Sequence, residues 1–463
     1  MRPNVGPTHR PSYQSGWCMR LSNMNNGGAS NTRWLYDSPV NSDVDAKLRR
    51  FLVESKNADR ILGIQVCAYK DGHVIIDTAA GVLGKDDLRP VQSDSLFPVF
   101  SVTKGVTAGM VHWLADKGYI ILFSWKLEVS WKLKLDDIVA NIWPEFGTNG
   151  KDQIKVNHVL NHTSGLHNAL AGICEEDHML LCDYDECLKR IAMVAPEAEP
   201  GCEQLYHYLS YGWLCGGIIE HASKKKFQDI LDEAIVRPLN VEGELYLGIP
   251  PGVESRLATL TIDADDLVML DPEHEINKTI LYKIPLPSSY TFIMISSIIL
   301  LSNTLNVRGA ILPASNGHFS ARAVARYYAA LVDGGVVPPR CPSSSIPSLE
   351  SHPTSDELEV DTKIFTNPKG KIHDAFLGGG DYKDLIVPNG EFGLGFLRFN
   401  GTNGSVIGVG HPGLGGSTGY CDINNRFAIA VTVNKLSLGG LNGEIIKFVC
   451  SELDLPVPRL YDQ

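Results

Sequence analysis

No apolar run in this 463-residue chain reaches the roughly eighteen residues needed to span a bilayer. The longest, residues 292–301, is broken by Ser296 and Ser297 and suits a buried segment. A basic excess is missing too. Lys and Arg number 41 against 53 Asp and Glu, a net charge of −12, so there is no basic face for broad nucleic-acid binding. Residues 1–42 lack the apolar core of a secretory signal and read as a polar, disordered tail. Asp37 is the only acid before Asp43, which keeps organelle import open beside the cytoplasm; secretion is not expected. The 10 cysteines are too dispersed for a disulfide scaffold, and Cys67 and Cys215 sit in apolar stretches like small buried hydrophobes of a reducing compartment. Repeat architecture is absent: Trp-Lys-Leu occurs twice, at Trp125 and Trp131, and reads as an insertion over residues 121–131.

What is present is an ordinary globular balance, 44% hydrophobic and 20% charged, with material for a large core. Helical spacing begins at Asp43. Two β-rich runs flank Asp71-Gly72 and predict a hairpin. A helical pattern covers residues 101–117, and mostly helix and loop follow over 158–335. A Pro- and Ser-rich stretch at 338–357 predicts a flexible surface loop. Strand patterns return at 393–399, 406–409 and 427–433, before a last amphipathic helix over about 443–453. The expected fold is α/β of the α+β type: an antiparallel sheet formed by both termini and flanked by helices, with a large inserted helical region. One domain over 43–463 is expected, with sheet parts at 43–100 and 390–463, a helical part at 101–335 and a flexible loop at 336–380.

Ser101-Val-Thr-Lys104 opens the strongest helix. Three residues apart, the serine and lysine share one face, so the amine can reach a hydroxyl that is too weak a nucleophile alone. The helix N-terminus also favours negative charge developing there. Such a motif arises by chance about twice in a chain this long. A second copy, Ser223-Lys-Lys-Lys226, follows a helix end in a basic patch and reads as a surface turn. Downstream come Asn161-His-Thr-Ser-Gly-Leu166, then Tyr206-His-Tyr208 ahead of a glycine-containing helix, then Gly410-His411-Pro-Gly413-Leu414 before a terminal strand and helix.

In their order and context these segments resemble the serine β-lactamase-like superfamily of class C β-lactamases, D-aminopeptidases, DD-peptidases and related carboxylesterases. The wording looks closest to the β-lactamase-like region of plant proteins fused behind an aarF-type kinase domain. The resemblance spans roughly residues 43–455. It implies Ser101 as nucleophile, Lys104 as its lysine and Tyr206 as the tyrosine of a Tyr-x-Asn motif, a base only if cationic neighbours favour its phenolate. The family's asparagine falls at Tyr208, and that loss of an amide favours an ester or small peptide-like substrate over a β-lactam. The third motif maps onto His411-Pro-Gly413, and the resemblance implies an oxyanion hole from the N–H groups of Ser101 and Leu414.

Two competing patterns carry less. Gly415-Gly-Ser417-Thr-Gly419 matches a nucleophile elbow, but a strand pattern rather than a helix follows it. Cys174, His178 and Cys182 share a spacing of four, yet a structural zinc prefers paired knuckles, so thiols are the better reading and no metal is expected. The resulting expectation is a serine hydrolase acting on a small-molecule ester or amide through an acyl-enzyme, needing no cofactor, with no nucleic-acid partner and with self-association left open. The alternatives are a catalytically idle binding or regulatory domain, or a transpeptidase, which the expected intracellular location disfavours.

Overall fold

The computed structural model describes residues 34–117, 119–123, 127–263, 298–341, 363–365, 371–376, 379–437 and 440–462. Its centre is a seven-stranded antiparallel sheet, in the order His73–Gly81, Gly63–Lys70, Phe427–Val433, Thr418–Asp422, Val406–Pro412, Phe396–Asn400, Phe392–Gly393. The first pair is the expected hairpin. Asp71 and Gly72 at φ 52° and 79° give the left-handed turn that matches strand twist. Alternation along Gly63–Lys70 sends Ile64, Val66 and Ala68 to one face and Cys67 and Tyr69 to the other. On the first face the helices Asp43–Asn57 and Leu441–Glu452 bury Leu48, Leu52, Ile445 and Val449. On the second, the Ala321–Val332 helix and the helical region complete the larger core. Each fully buried aliphatic side chain contributes about 1.5–3 kcal/mol, which both layers supply many times over.

The α/β fold with its antiparallel sheet and flanking helices is as expected, and local differences have local causes. Residues 34–36 are not a free tail: Leu35 bridges Ala80 and the Tyr36 N–H donates to the Ala79 carbonyl, so the edge strand gains a partner; residues 1–33 lie outside the described residues. The run expected as one strand at 393–399 is broken, because Leu394 and Gly395 turn through φ 49° and 97°. Thr418–Asp422, which is not among the expected strands, is a buried central strand. Within 101–335, the Gly317–Phe319 strand pairs with Phe97–Pro98 and Leu245–Leu247 in a small sheet. The insertion folds as an antiparallel hairpin, Tyr119–Phe123 with Leu127–Trp131; Trp125 lies outside the described residues. Of the apolar run at 292–301, residues 292–297 lie outside the described residues and Leu300 is exposed. The expected loop at 336–380 is partly built, with Val336 bridging Lys363 and a Lys371–Phe376 helix, while 342–362 lie outside the described residues. No helix among the described residues is long and apolar enough to cross a membrane.

Candidate active site

The Val102–Lys117 helix starts under constraint. Phe100, a bulky residue, sits at φ 46° immediately before Ser101, a left-handed conformation held only where surroundings over-determine it. They do so here. Phe100 bridges Asn316 in parallel, its carbonyl accepts from Thr103 Oγ1 at 2.5 Å, and Thr103 Oγ1 accepts from the Gly317 N–H at 2.9 Å. Ser101 is thereby fixed one helical turn before Lys104, whose N–H donates to the Ser101 carbonyl at 3.0 Å.

Around Ser101 Oγ stand two groups that the sequence predicted. Lys104 Nζ lies 3.3 Å away, and the Tyr206 hydroxyl donates to Oγ at 3.0 Å. Lys104 is wholly buried, and its Nζ also donates to the carbonyls of Tyr208 at 2.8 Å and Ala314 at 3.1 Å. Desolvation lowers its pKa from 10.5 to about 7. Burial pushes the Tyr206 phenol well above its ordinary value, and the hydrogen bond with Ser101 only partly opposes this. The nearby ammonium, 4.9 Å from the ring centroid, therefore does not make Tyr206 a phenolate, contrary to the condition set for its use as a base. Tyr206 is a hydrogen-bond donor to Ser101 in this arrangement.

Tyr208 enters differently from its position in the motif: its backbone carbonyl anchors Lys104, while its side chain packs against the core. His411 is buried on the Val406–Pro412 strand. Its Nδ1–H donates to the Pro412 carbonyl at 2.8 Å, which leaves Nε2 as a bare acceptor with no partner among the described residues. Burial, with Lys104 adding to it, lowers the His411 pKa to about 3, so the ring is neutral. It faces Tyr206 at 6.1 Å between ring centroids. Gly413 has no room for a side chain: a Cβ there would lie 2.2 Å from the Val99 carbonyl. That approach carries Leu414 against Phe100 in one apolar cluster. Among the described residues, the N–H groups of Ser101 and Leu414 have no acceptor.

Sequence reasoning missed what lies behind Tyr206. Phe392 stacks on its ring at 5.2 Å, and His162, with φ 59°, packs beside it at 4.9 Å. Gln204 pins Phe392 by accepting its N–H at 3.1 Å and donating to its carbonyl at 2.9 Å. Asn161-His162 lay in a motif already singled out; Phe392 and the Ala314 carbonyl had no sequence signal. The decoys fall away on geometry. Ser417 is buried and its Oγ accepts the Val433 N–H at 3.2 Å, and Thr418 opens a strand, not a helix. Ser223 Oγ donates to the Ile219 carbonyl at 2.7 Å, while Lys226 faces Asp185 and Glu220. His178 and Cys182 do not join the metal-sized donor cluster found among the described residues, which is Cys67, Asp77 and Cys341; the Cys174 side chain lies outside what the structure describes.

A sheet of this order, closed by both ends of the chain, is the β-lactamase/transpeptidase-like fold, and its relatives make the molecule a serine hydrolase of the β-lactamase-like/carboxylesterase type. The chain belongs to the Beta-lactamase family, whose sequence model matches residues 48–444. It is 29% identical over 382 residues to the esterase/β-lactamase LipL of Mycobacterium tuberculosis, covering 81% of this chain and 78% of that protein. Among solved structures it superimposes on a family VIII carboxylesterase with TM-score 0.65 at 22% identity, covering 89% of this chain and 98% of the other. A penicillin-binding protein homologue from Caulobacter crescentus gives TM-score 0.62 at 25% identity, covering 86% and 94%.

Proposed function

We propose that the chain is an acyl hydrolase for small esters, with Ser101 as nucleophile and Lys104 as its base. One observation carries this reading: the donor count at Lys104. A neutral amine has two N–H bonds and one lone pair, and the carbonyls of Tyr208 and Ala314 take both N–H bonds. The lone pair is left for Ser101 Oγ, whose own lone pair accepts from Tyr206. Ser101 then attacks the ester carbonyl as its proton moves to Lys104. The N–H groups of Ser101 and Leu414 receive the oxyanion, an interaction worth a few kcal/mol of barrier. Tyr206 protonates the departing alkoxide and regains a proton through Lys104. Water later attacks the acyl-enzyme, and the bare Nε2 of His411 is an acceptor available to that water or to substrate. No cofactor enters. Tyr208, standing where relatives of the lactamase type hold an amide, supports esters over β-lactams. Buried cysteines outside any disulfide, such as Cys215 and Cys421, support a reducing, intracellular compartment, cytoplasmic or organellar.

The test is intact-mass labelling with a fluorophosphonate, comparing wild type, Ser101→Ala and Ser417→Ala. A single adduct lost only in Ser101→Ala is expected. An adduct lost instead in Ser417→Ala would overturn the assignment. No adduct on folded wild type would favour an idle regulatory domain, the reading that the resemblance to regions fused behind aarF-type kinases supports.

A further inference from the structure

Away from Ser101, the second sheet face holds two thiols in contact. Cys67 Sγ, on the Gly63–Lys70 strand, lies 3.7 Å from Cys341 Sγ. Cys67 is 1% exposed. Cys341 is half-buried and lines a cavity of about 430 Å³ together with Tyr36, Tyr69, Arg322, Arg326 and Arg340. Small solutes can therefore reach Cys341 and not Cys67. Asp77 completes a cluster of metal-sized dimensions, its donor atom and both sulfurs lying within 4.8 Å of one another. That carboxylate is already committed, because Arg322 Nε donates to Oδ1 at 2.8 Å and Nη2 donates to Oδ2. A cation would have to displace a buried guanidinium, so the chemistry left to the cluster is that of its sulfurs.

We propose that Cys67 and Cys341 form a reversible disulfide, with Cys341 as the peroxide-reactive thiol and Cys67 as the resolving one. The two environments divide these roles. The Cys67 hydrogen bond, with help from Tyr69 and the Arg322 charge, draws the Cys341 thiol below its ordinary value, while burial pushes Cys67 up. The Cys341 thiolate attacks one peroxide oxygen; an S–O bond forms, the O–O bond breaks and hydroxide leaves. The Cys67 sulfur then displaces the sulfenic hydroxyl, forming the S–S bond and releasing water with the Cys67 proton. Each disulfide costs two electrons, all accepted by one peroxide. The sulfurs must close by roughly 1.6 Å to reach bonding distance. Segment 338–341 can supply that movement, since among the described residues the Tyr69 hydroxyl holds it through the Pro339 carbonyl at 3.3 Å and the Cys341 sulfur at 3.6 Å, both long contacts. The bond joins positions 274 apart, so it closes a loop containing Ser101 and Tyr206 and constrains the unfolded chain strongly.

The experiment is a hydrogen peroxide titration of the full chain, with peptide mapping under non-reducing conditions. The expected product is a Cys67–Cys341 cross-linked peptide, short of two hydrogens and restored by dithiothreitol, with the apparent melting temperature of the oxidised form raised by about 5 °C. In Cys67→Ser, dimedone should trap a sulfenic acid on Cys341; in Cys341→Ser, it should trap none on Cys67. The wild-type map decides even where a variant fails to fold. Cys341 linked to another cysteine, or exposed Cys202 oxidised while the pair stays reduced, would overturn the proposal. The site is independent of Ser101, so fluorophosphonate labelling can fail without touching this result.

Discussion

Three oxygens face one nitrogen at Lys104: Ser101 Oγ and the carbonyls of Tyr208 and Ala314. The carbonyls soften the cost of burying a cation without cancelling it, and so desolvation leaves the amine with a pKa of about 7. Two consequences follow for Lys104→Met. Acylation by the fluorophosphonate should slow by about 10²–10⁴-fold, the usual worth of a positioned base. The thermal midpoint should fall, because the buried carbonyls of Tyr208 and Ala314 lose their donor. A midpoint at or above wild type would mean that relief of the desolvation of Lys104 outweighs those hydrogen bonds. In wild type, the acylation rate should rise with pH through about 7 as the amine loses its proton, and a rate flat from pH 6 to 9 would remove Lys104 as the base. Stability also rises with pH, between about 7 and 10.5, since in that window the unfolded chain holds a proton that the folded one has released. Ser101 and Lys104 were legible as a spacing of three residues at a helix start, and Tyr206 only through the resemblance of its motif. The anchoring carbonyls were not, because every residue has one and only the fold chooses which to use.

At the level of elements, the geometry around Ser101 depends on how closely two backbones approach. The 413–414 turn, leaving the Val406–Pro412 strand, runs against Val99, just ahead of the Val102–Lys117 helix, with no room for a methyl group between them. Gly413→Ala must move either the turn or the strained Phe100–Ser101 peptide. We expect acylation to drop by about 10²–10³-fold, as when one oxyanion donor is lost. The mutant should keep its far-ultraviolet circular dichroism, and full activity would show that Leu414 donates nothing. The same segment shows where sequence reading stops. The pattern Phe427–Val433 is a run of apolar and β-branched residues and declares itself as a strand. Thr418–Asp422 does not, since glycines precede it and its partner strands are needed to reveal the pairing of Gly419 with His411 and Ala430. The break at Leu394-Gly395 was hidden likewise, because a left-handed leucine has no sequence signature.

For the whole molecule, the groups gathered around Ser101 come from distant parts of the sequence: Ser101 and Lys104 in its first quarter, Tyr206 near the middle and His411 in the last strands of the sheet. The closure of both termini into one sheet was legible from strand patterns at the two ends; how the helical region docks on that sheet was not. Docking runs through the Ala321–Val332 helix. Gln65 Oε1 accepts from the Ala321 N–H at 2.9 Å and the Thr432 hydroxyl at 3.1 Å, and Arg322 pairs with Asp77 where their side chains are only 12% and 4% exposed. Buried neutral histidines are spread through both regions, with His112 held down to about pKa 4 and His207, His318 and His411 to about 3, chiefly by desolvation. The unfolded chain binds their protons below about pH 6.5 and the folded one does not. Urea midpoints should therefore fall steadily as pH drops from 6.5 towards 4. Asp77→Ala tests the docking itself, because it leaves the Arg322 guanidinium buried without its counter-charge and should cost about 3–5 kcal/mol. Adding Arg322→Met should recover much of that loss, as the uncompensated charge goes with it. In both variants the urea transition followed by circular dichroism should coincide with the loss of fluorophosphonate labelling, since sheet and helical region share one core around the helix that carries Ser101. If labelling disappears at lower urea than the circular dichroism signal, the helical region unfolds from the sheet on its own and the Arg322–Asp77 pair is a local clasp, not part of a single cooperative unit.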